Sequence, residues 1–142
     1  GGAPLLSVRD ARASDHAAVT EVCRGIYAGN DYVAAKFHAF LANPAVRALV
    51  ACVSVGPCAA AVPVGVALLT VLPGGVAWFS GLRVHPLFRG QGLAKMLIHE
   101  RMARASALAL RFARQTVNWQ QAAPMQLAQQ TGFGRVLQRR LL

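Results

Sequence analysis

A glycine- and arginine-rich loop carries the clearest chemical pattern of the sequence. Residues 89–94 read RGQGLA and lie between a predicted strand that ends near residue 84 and a predicted helix over residues 93–107. Glycine lacks a Cβ, so a ligand can approach the backbone closely, and the free N–H groups of a first helical turn then point at an anion. An arginine at the start of the loop adds a charged donor. We therefore predict a pyrophosphate site formed by Arg89, Gly90, Gln91, Gly92, Leu93 and Ala94.

Two better-known phosphate loops do not match this segment. A Walker A loop requires Gly-Lys followed by Ser or Thr, whereas Lys95 lies between Ala94 and Met96. A dinucleotide-binding fingerprint requires a third glycine where Lys95 stands and an acidic residue about 20 positions further on. Neither is present, so the loop indicates another phosphate-bearing ligand.

Positive charge is concentrated in the second half of the chain. Residues 83–142 contain ten Lys and Arg residues against a single acid, whereas residues 1–82 hold five cations and four acids. This asymmetry predicts a phosphate-rich ligand or a polyanion as partner. Nucleic acid is the alternative, although few aromatic side chains lie among the cations to stack on bases. Three arginines are expected to be solvated or to contact a cofactor phosphate or another domain: Arg101, Arg104 and Arg111.

The composition indicates one globular domain over residues 1–142. Of the 142 residues, 55% are hydrophobic and 14% are charged, which is enough for one core and atypical of disorder. Glycines and prolines interrupt the longest uncharged stretch, residues 48–82, so no membrane span is predicted. Three cysteines without metal-ligand spacing predict neither a disulfide framework nor a zinc site, and we expect a cytoplasmic location. Gly1 and Gly2, with no initiator methionine, are expected to be a cloning remnant or the start of a fragment.

Hydrophobic periodicity predicts a strand and two helical segments in the first third of the chain. The strand begins near Leu6, and the first helix follows with Ser14 as its N-cap. A second helical face over residues 33–41 should end at Asn43-Pro44, because a residue before proline disfavours the helical conformation.

The remaining two thirds predict an α+β fold. Three apolar, β-branched runs separated by Gly and Pro predict an antiparallel meander: residues 46–55, 64–72 and 76–84. The helix over residues 93–107 consists largely of strong helix formers. Three further elements are predicted after it: a strand over 108–117, a short helix over 124–130 and a last strand over 133–142.

Residues 89–94 resemble the acyl-CoA pyrophosphate loop, Arg/Gln-x-x-Gly-x-Gly/Ala, of the GNAT superfamily of N-acetyltransferases. The order of the predicted elements agrees with that family along the whole chain, and Asn118 with the later Gly132-Phe133 resembles another family segment. The resemblance implies a three-layer α/β arrangement, in which helices cover both faces of a mostly antiparallel mixed sheet with splayed middle strands. It also implies direct transfer of an acetyl group from acetyl-CoA to an amine, with no metal ion.

The resemblance assigns roles to further residues. Three residues of the strand before the loop would pair through their backbones with the pantetheine arm of acetyl-CoA: Leu82, Arg83 and Val84. Asn118 would hydrogen-bond the same arm. Acceptor binding would fall to the loop after the first helix, at Tyr27, Asp31 and Tyr32. An Asx turn for the aspartate and core packing for the tyrosines are the alternatives.

A narrower resemblance concerns the acceptor. Residues 25–32, GIYAGNDY, with Phe37-His38 and the GLRV of residues 81–84, resemble the histidine N-acetyltransferase branch of the family. This implies a free amino acid as acceptor, with Arg83 as the partner of its carboxylate. A peptide or protein amine is the alternative acceptor, and the protein is expected to be a monomer or a homodimer.

Two positions depart from the family's catalytic pattern. Many members carry a Tyr general acid four residues before Gly132, where this chain has Ala128, and related members carry a Glu general base where it has Ser80. Ser80 therefore marks the catalytic base position, and His85, next to Pro86, is either an alternative base or an ordinary surface residue. These losses leave a CoA-binding or nucleic-acid-binding module without turnover as a rival function.

Overall fold

The computed structural model describes residues 4–56 and 58–115, which form a five-stranded sheet and four α-helices. The strands are β1 (Leu5–Asp10), β2 (Val46–Ser54), β3 (Val62–Leu72), β4 (Val76–Val84) and β5 (Phe112–Gln115). The helices are α1 (His16–Cys23), α2 (Tyr32–Ala35), α3 (Phe37–Ala42) and α4 (Leu93–Ala107). Short 3-10 turns cover Ala13–Asp15, Tyr27–Gly29 and Pro86–Phe88.

The strands follow one another across the sheet in chain order. β1, β2, β3 and β4 pair antiparallel, and β5 returns through α4 to pair parallel with β4. The predicted meander and the mixed, mostly antiparallel α+β sheet are therefore confirmed.

Helices cover both faces of the sheet because successive side chains of a strand point to opposite sides. In β2, Val50 and Cys52 pack in a buried cluster with side chains of α1, α2 and α3. Leu49 and Ala51 of the same strand pack in a second cluster with Leu93 of α4. The predicted layering of helices on both faces is confirmed. Among the described helices, α1, α2 and α3 contribute to the first cluster and α4 contributes to the second.

Two local predictions need correction. Ser14 does not cap the first helix: the Asp15 carboxylate accepts the Arg12 backbone N–H at 2.7 Å, and Ser14 lies inside the short turn before α1. The strand predicted from residue 108 starts only at Phe112, because the chain first closes α4 through a hydrogen bond from the Leu108 N–H to the Arg104 carbonyl.

Some predictions lie outside the described residues. These are the short helix over 124–130, the last strand over 133–142, the position of Asn118 and the splaying of β4 and β5 beyond Gln115. No helix in the described part of the chain is long and apolar enough to span a membrane. The three cysteines are free, with Cys23 and Cys52 buried and Cys58 exposed.

Candidate active site

The loop over residues 89–94 adopts a backbone that glycine favours. Gly90 has φ of 79° and Gly92 has φ of 84°, in the left-handed region where a Cβ is costly. A Cβ added at either position would meet no atom within 4 Å. Backbone conformation, and not lack of space, therefore explains the glycines, and the space beside them is open to a ligand.

The loop leads directly into the N-terminus of α4. The first hydrogen bond of this 15-residue helix joins the Met96 N–H to the Gly92 carbonyl at 3.0 Å, so the N–H groups before Met96 have no partner within the helix. No side chain of the described residues caps them, and the first turn contains no acid. Together with the positive end of the helix dipole, these groups fit a pyrophosphate.

Arg89 joins this loop to the end of β4. Its Nε donates to the Val84 carbonyl at 3.3 Å, and the side chain is otherwise exposed. The remaining guanidinium N–H groups are available to an anion at the same turn. The structure thus brings the predicted pyrophosphate loop next to Val84, the last of the three predicted pantetheine-binding residues.

β4 contains a bulge just before those three residues. Leu68 of β3 faces Ser80, but Val66 faces Arg83, so β4 has one extra residue between the two pairs. Gly81 lies there with φ of 64°, and a Cβ on it would come within 2.9 Å of Leu68 Cδ1. Only glycine fits this position without displacing the core.

The bulge reverses which side chains of β4 face α4. Ala77 and Phe79, before the bulge, pack in a cluster with α4, and Leu82 and Val84 do so after it. Arg83 therefore lies on the opposite face, which carries α2. This change of face places Arg83 beside the predicted acceptor loop.

Arg83 forms a buried ion pair with Asp31. The Nε–Oδ2 distance is 2.8 Å and the Nη2–Oδ1 distance is 3.3 Å; the Asp31 side chain is fully buried, and that of Arg83 is 17% exposed. Asp31 also accepts the Val33 N–H at 3.1 Å and so caps α2. Burial by itself would raise the pKa of Asp31, but the hydrogen bonds from Arg83 and Val33 lower it below the ordinary value. Asp31 is thus ionised, and its carboxylate accepts hydrogen bonds from Arg83 and Val33.

The thiol of Cys23 lies against the same carboxylate. Burial, reinforced by the negative charge of Asp31, raises the pKa of Cys23 to about 12. A thiol with such a pKa stays protonated at neutral pH and is a poor nucleophile. Cys23 therefore belongs to the packing beneath the ion pair.

The two tyrosines of the acceptor loop differ in their contacts. The Tyr32 ring lies 5.6 Å from the Arg83 guanidinium carbon and 6.2 Å, edge to face, from Phe40. Tyr27 is 70% exposed and has φ of 50°. The structure gathers Asp31, Tyr32 and Arg83 into one cluster, whereas Tyr27 extends into solvent. Their roles toward an acceptor remain predictions.

The two proposed catalytic positions make local hydrogen bonds. His85 Nδ1 accepts the Leu87 N–H at 3.1 Å and caps the turn over Pro86–Phe88. That bond occupies the lone pair a base would use, so this geometry does not favour His85 as the base. The Ser80 carbonyl accepts Arg101 Nη1 at 3.2 Å. Catalytic roles for Ser80 and His85 remain predictions.

Arg101 is buried, although its charge and its place in a basic helix predict an exposed side chain. It was expected on a solvated or ligand-facing surface of the basic helix, but it is 1% exposed beneath the sheet. The signal lies in its spacing: Leu93, Leu97, Arg101 and Ala105 recur every four residues, and all are buried. Positions i and i+4 share one helix face, so Arg101 belongs to the face that α4 packs against the sheet.

Solved structures of acetyltransferases share this fold at low sequence identity. The ribosomal-protein-S18-alanine N-acetyltransferase from Escherichia coli superposes with a TM-score of 0.77 at 14% identity, over 94% of this chain and 80% of that one. An aminoglycoside N-acetyltransferase in complex with CoA gives 0.76 at 18% identity, over 94% and 91%. The PaiA N-acetyltransferase from Thermoplasma acidophilum, in complex with coenzyme A, gives 0.70 at 15% identity, over 92% and 90%.

Comparison of the sequence with family profiles identifies the family of the chain. No curated protein sequence is detectably similar to the chain. The profile described as the acetyltransferase (GNAT) family, however, matches residues 15–133, which include the whole of α4 and the glycine loop before it. The chain belongs to the GNAT family of acetyltransferases.

Proposed function

We propose that the chain transfers an acetyl group from acetyl-CoA to the α-amine of a peptide or protein N-terminus. The observation that carries the proposal is the open N-terminus of α4 behind Gly90 and Gly92, which offers uncapped N–H groups to a pyrophosphate. Acetyl-CoA, the cosubstrate of the family, supplies an activated acetyl thioester when bound. Residues 89–94 would hold its pyrophosphate, and the backbone of residues 82–84 would pair with its pantetheine arm.

The chain's own residues bind both partners and orient the amine. The acceptor nitrogen forms a bond to the carbonyl carbon, the carbon–sulfur bond breaks, and the sulfur leaves with the electron pair. The proton lost by the nitrogen goes to the thiolate or to solvent. Backbone N–H groups of β4 beside the bulge would stabilise the negative charge that develops on the carbonyl oxygen.

Every acidic side chain of the sequence is paired with an arginine. The sequence contains five, all in the described part of the chain. The Nδ1 lone pair of His85 is also engaged. Residues 116–142 contain no Asp, Glu, His, Cys, Tyr or Lys. Because Ser80 stands at the family's Glu position, the proposal assigns no side-chain base, and the acceptor would reach the site with a neutral fraction of its own.

An α-amine meets this requirement better than a lysine side chain. The ordinary pKa is about 7.7–8.0 for an α-amine and about 10.4 for lysine. The gap of about 2.4–2.7 pKa units corresponds to roughly 3.3–3.7 kcal/mol that the site would otherwise have to supply. The proposal therefore favours α-amines.

A peptide α-amine is favoured over that of a free amino acid. Arg83, the expected partner of a free carboxylate, already forms two hydrogen bonds to Asp31 and a third to the Leu82 carbonyl. The neighbouring carboxylate of a free amino acid also raises the pKa of its amine. The comparisons give no support to the histidine N-acetyltransferase branch, so the proposal does not depend on it.

Two peptides that differ only in the position of their free amine test the acceptor. The first has a free N-terminus and no lysine, and the second has a blocked N-terminus and one lysine. At neutral pH and equal concentration, we expect acetylation of the first peptide to be faster by more than about tenfold, because far more of its amine is neutral. Equal rates, or faster acetylation of the lysine, would contradict the proposal.

A matched pair of double variants tests the loop by calorimetric titration with CoA. R89A/G92V removes the arginine and strains the loop, whereas R24A/G74V removes another exposed arginine and strains a glycine with the same φ of 84° outside it. We expect the first to weaken CoA binding by more than about tenfold and the second to leave it unchanged. Unchanged affinity in folded R89A/G92V would refute the site.

A further inference from the structure

Arg101 is a buried cation without a carboxylate partner. All five acidic side chains of the sequence pair with other arginines: Arg9, Arg24, Arg83 and, for two of them, Arg104. The Arg101 side chain is nevertheless 1% exposed. Burial of an uncompensated charge is costly, and nothing about packing alone requires a guanidinium at this position of α4.

The guanidinium contacts the sheet at the bulge of β4. Its Nη1 donates to the Leu68 carbonyl of β3 at 3.3 Å and to the Ser80 carbonyl of β4 at 3.2 Å. Its central carbon lies over the Phe79 ring, 4.6 Å from the ring centroid. Nε has no hydrogen-bond partner among the described residues. The charge of Arg101 is thus directed at one peptide group of β4, the one that joins Ser80 to Gly81.

The other side of that peptide group carries the Gly81 N–H. In a trans peptide the N–H points opposite to the C=O, and the described chain contains no cis peptide bond. The Ser80 carbonyl points toward Arg101 Nη1, the donor that it shares with the Leu68 carbonyl. The Gly81 N–H therefore points away from Arg101 and lies directly before Leu82, the first of the residues expected to pair with the pantetheine arm.

We propose that Arg101 is a positioning residue that orients and polarises the Ser80–Gly81 peptide, so that the Gly81 N–H stabilises negative charge on the thioester carbonyl oxygen. A hydrogen bond to a charged donor strengthens the N–H of the same peptide group, more so in a low-dielectric interior. The inference rests on the acyl transfer of the proposed function but not on the identity of the acceptor. It gives a chain that lacks the family's Glu at Ser80 and Tyr at Ala128 an electrostatic contribution to the same step.

Three single variants test this role. R101M keeps the apolar stem and removes the charge, and R101K keeps the charge on a side chain that cannot reach both carbonyls in the same way. R104M removes a half-buried arginine one turn along the same helix, whose partners are Asp10 and Glu100. For R101M we expect kcat to fall about tenfold while KM for acetyl-CoA and for the acceptor changes less than about twofold. R101K should show a smaller loss, and R104M should match the wild type.

A second readout uses the protein alone. The amide proton of Gly81, followed by NMR in uniformly ¹⁵N-labelled protein without cosubstrate, should shift upfield in R101M, shift partly in R101K and stay in place in R104M. If Arg101 only stabilised the fold, the change in the Gly81 amide shift would not parallel the change in kcat across these variants while KM stays constant. We also expect R101M to remain folded, because an apolar side chain of similar length removes the burial cost of the charge.

The inference is overturned if folded R101M keeps the wild-type kcat, or if kcat falls without any shift of the Gly81 amide. If R101M does not fold, R101K decides: reduced kcat at unchanged KM supports the inference, and wild-type kcat overturns it. A wild-type protein that transfers no acetyl group in the same assay counts against the proposed function. An active wild type beside an equally active R101M counts against Arg101 alone.

Discussion

Replacing Asp31 with asparagine should destabilise the fold far more than neutralising an exposed acid, because it leaves the Arg83 guanidinium buried without its counter-charge. Asparagine can still accept the Val33 N–H that caps α2, so the main loss is the ion pair. Removing one partner of a buried pair costs about 3–5 kcal/mol. With the Arg83 side chain 17% exposed, we expect a value near the lower limit, about 3 kcal/mol.

A double-mutant cycle by equilibrium unfolding in urea measures the coupling. R83M should cost a similar amount, since it leaves the Asp31 carboxylate buried, and D31N/R83M should recover much of the loss. The exposed pair of Asp10 and Arg104, whose side chains are 73% and 33% exposed, provides the control; its disruption should cost no more than about 1 kcal/mol. A loss of stability in D31N/R83M equal to the sum of the losses in D31N and R83M would refute the reasoning.

The same ion pair makes a prediction about acid. The pKa of Asp31 is lowered in the fold, so its stabilising contribution is complete above the ordinary value of about 3.9 and is lost as the pH falls through the lower folded value. Wild-type stability should therefore decline more steeply below about pH 4 than that of D31N. Parallel acid-unfolding curves would contradict this.

Further predictions concern the bulge, the missing base and the basic surface. G81A should lower the unfolding free energy by about 1–3 kcal/mol more than G74A, because both have positive φ but only the Cβ of the first meets Leu68, and urea unfolding compares them. H85A should leave the pH–rate profile unchanged, whereas S80E should add an acidic limb and raise the rate at neutral pH; a limb near about pH 6.5 lost in H85A would instead identify His85 as the base. Retention on DNA should disappear at lower salt than CoA binding does, and equal salt dependence would indicate an unspecific basic surface.

Local sequence signals were sufficient for most elements. The helix predicted over residues 93–107 is observed as Leu93–Ala107, because strong helix formers follow two glycines and no Gly or Pro interrupts them. The three meander strands also match, since turn residues separate their apolar runs. Both signals depend on neighbours in the chain, which is what a sequence pattern reports.

Tertiary contacts account for what the sequence did not predict. Asp31 and Arg83 are 52 residues apart in the chain, and they meet only because the bulge at Gly81 turns Arg83 to the face of α2. The bulge itself is one extra residue in β4, which the apolar pattern of the strand does not reveal. For Arg101 the sequence did contain the signal, because its spacing from Leu97 and Ala105 predicts the buried face of α4. Its charge, however, favours an exposed position, and that expectation was wrong.

The most direct test of α-amine acetylation is to locate the acetyl group on one peptide that carries both a free N-terminus and an internal lysine. The wild-type protein is incubated with this peptide and acetyl-CoA at neutral pH, and tandem mass spectrometry of the product assigns the modified nitrogen. We expect early acetylation at the N-terminal α-amine, lost in R89A/G92V and retained in R24A/G74V. Acetylation of the lysine first, or transfer that R89A/G92V supports as well as the wild type, would contradict it.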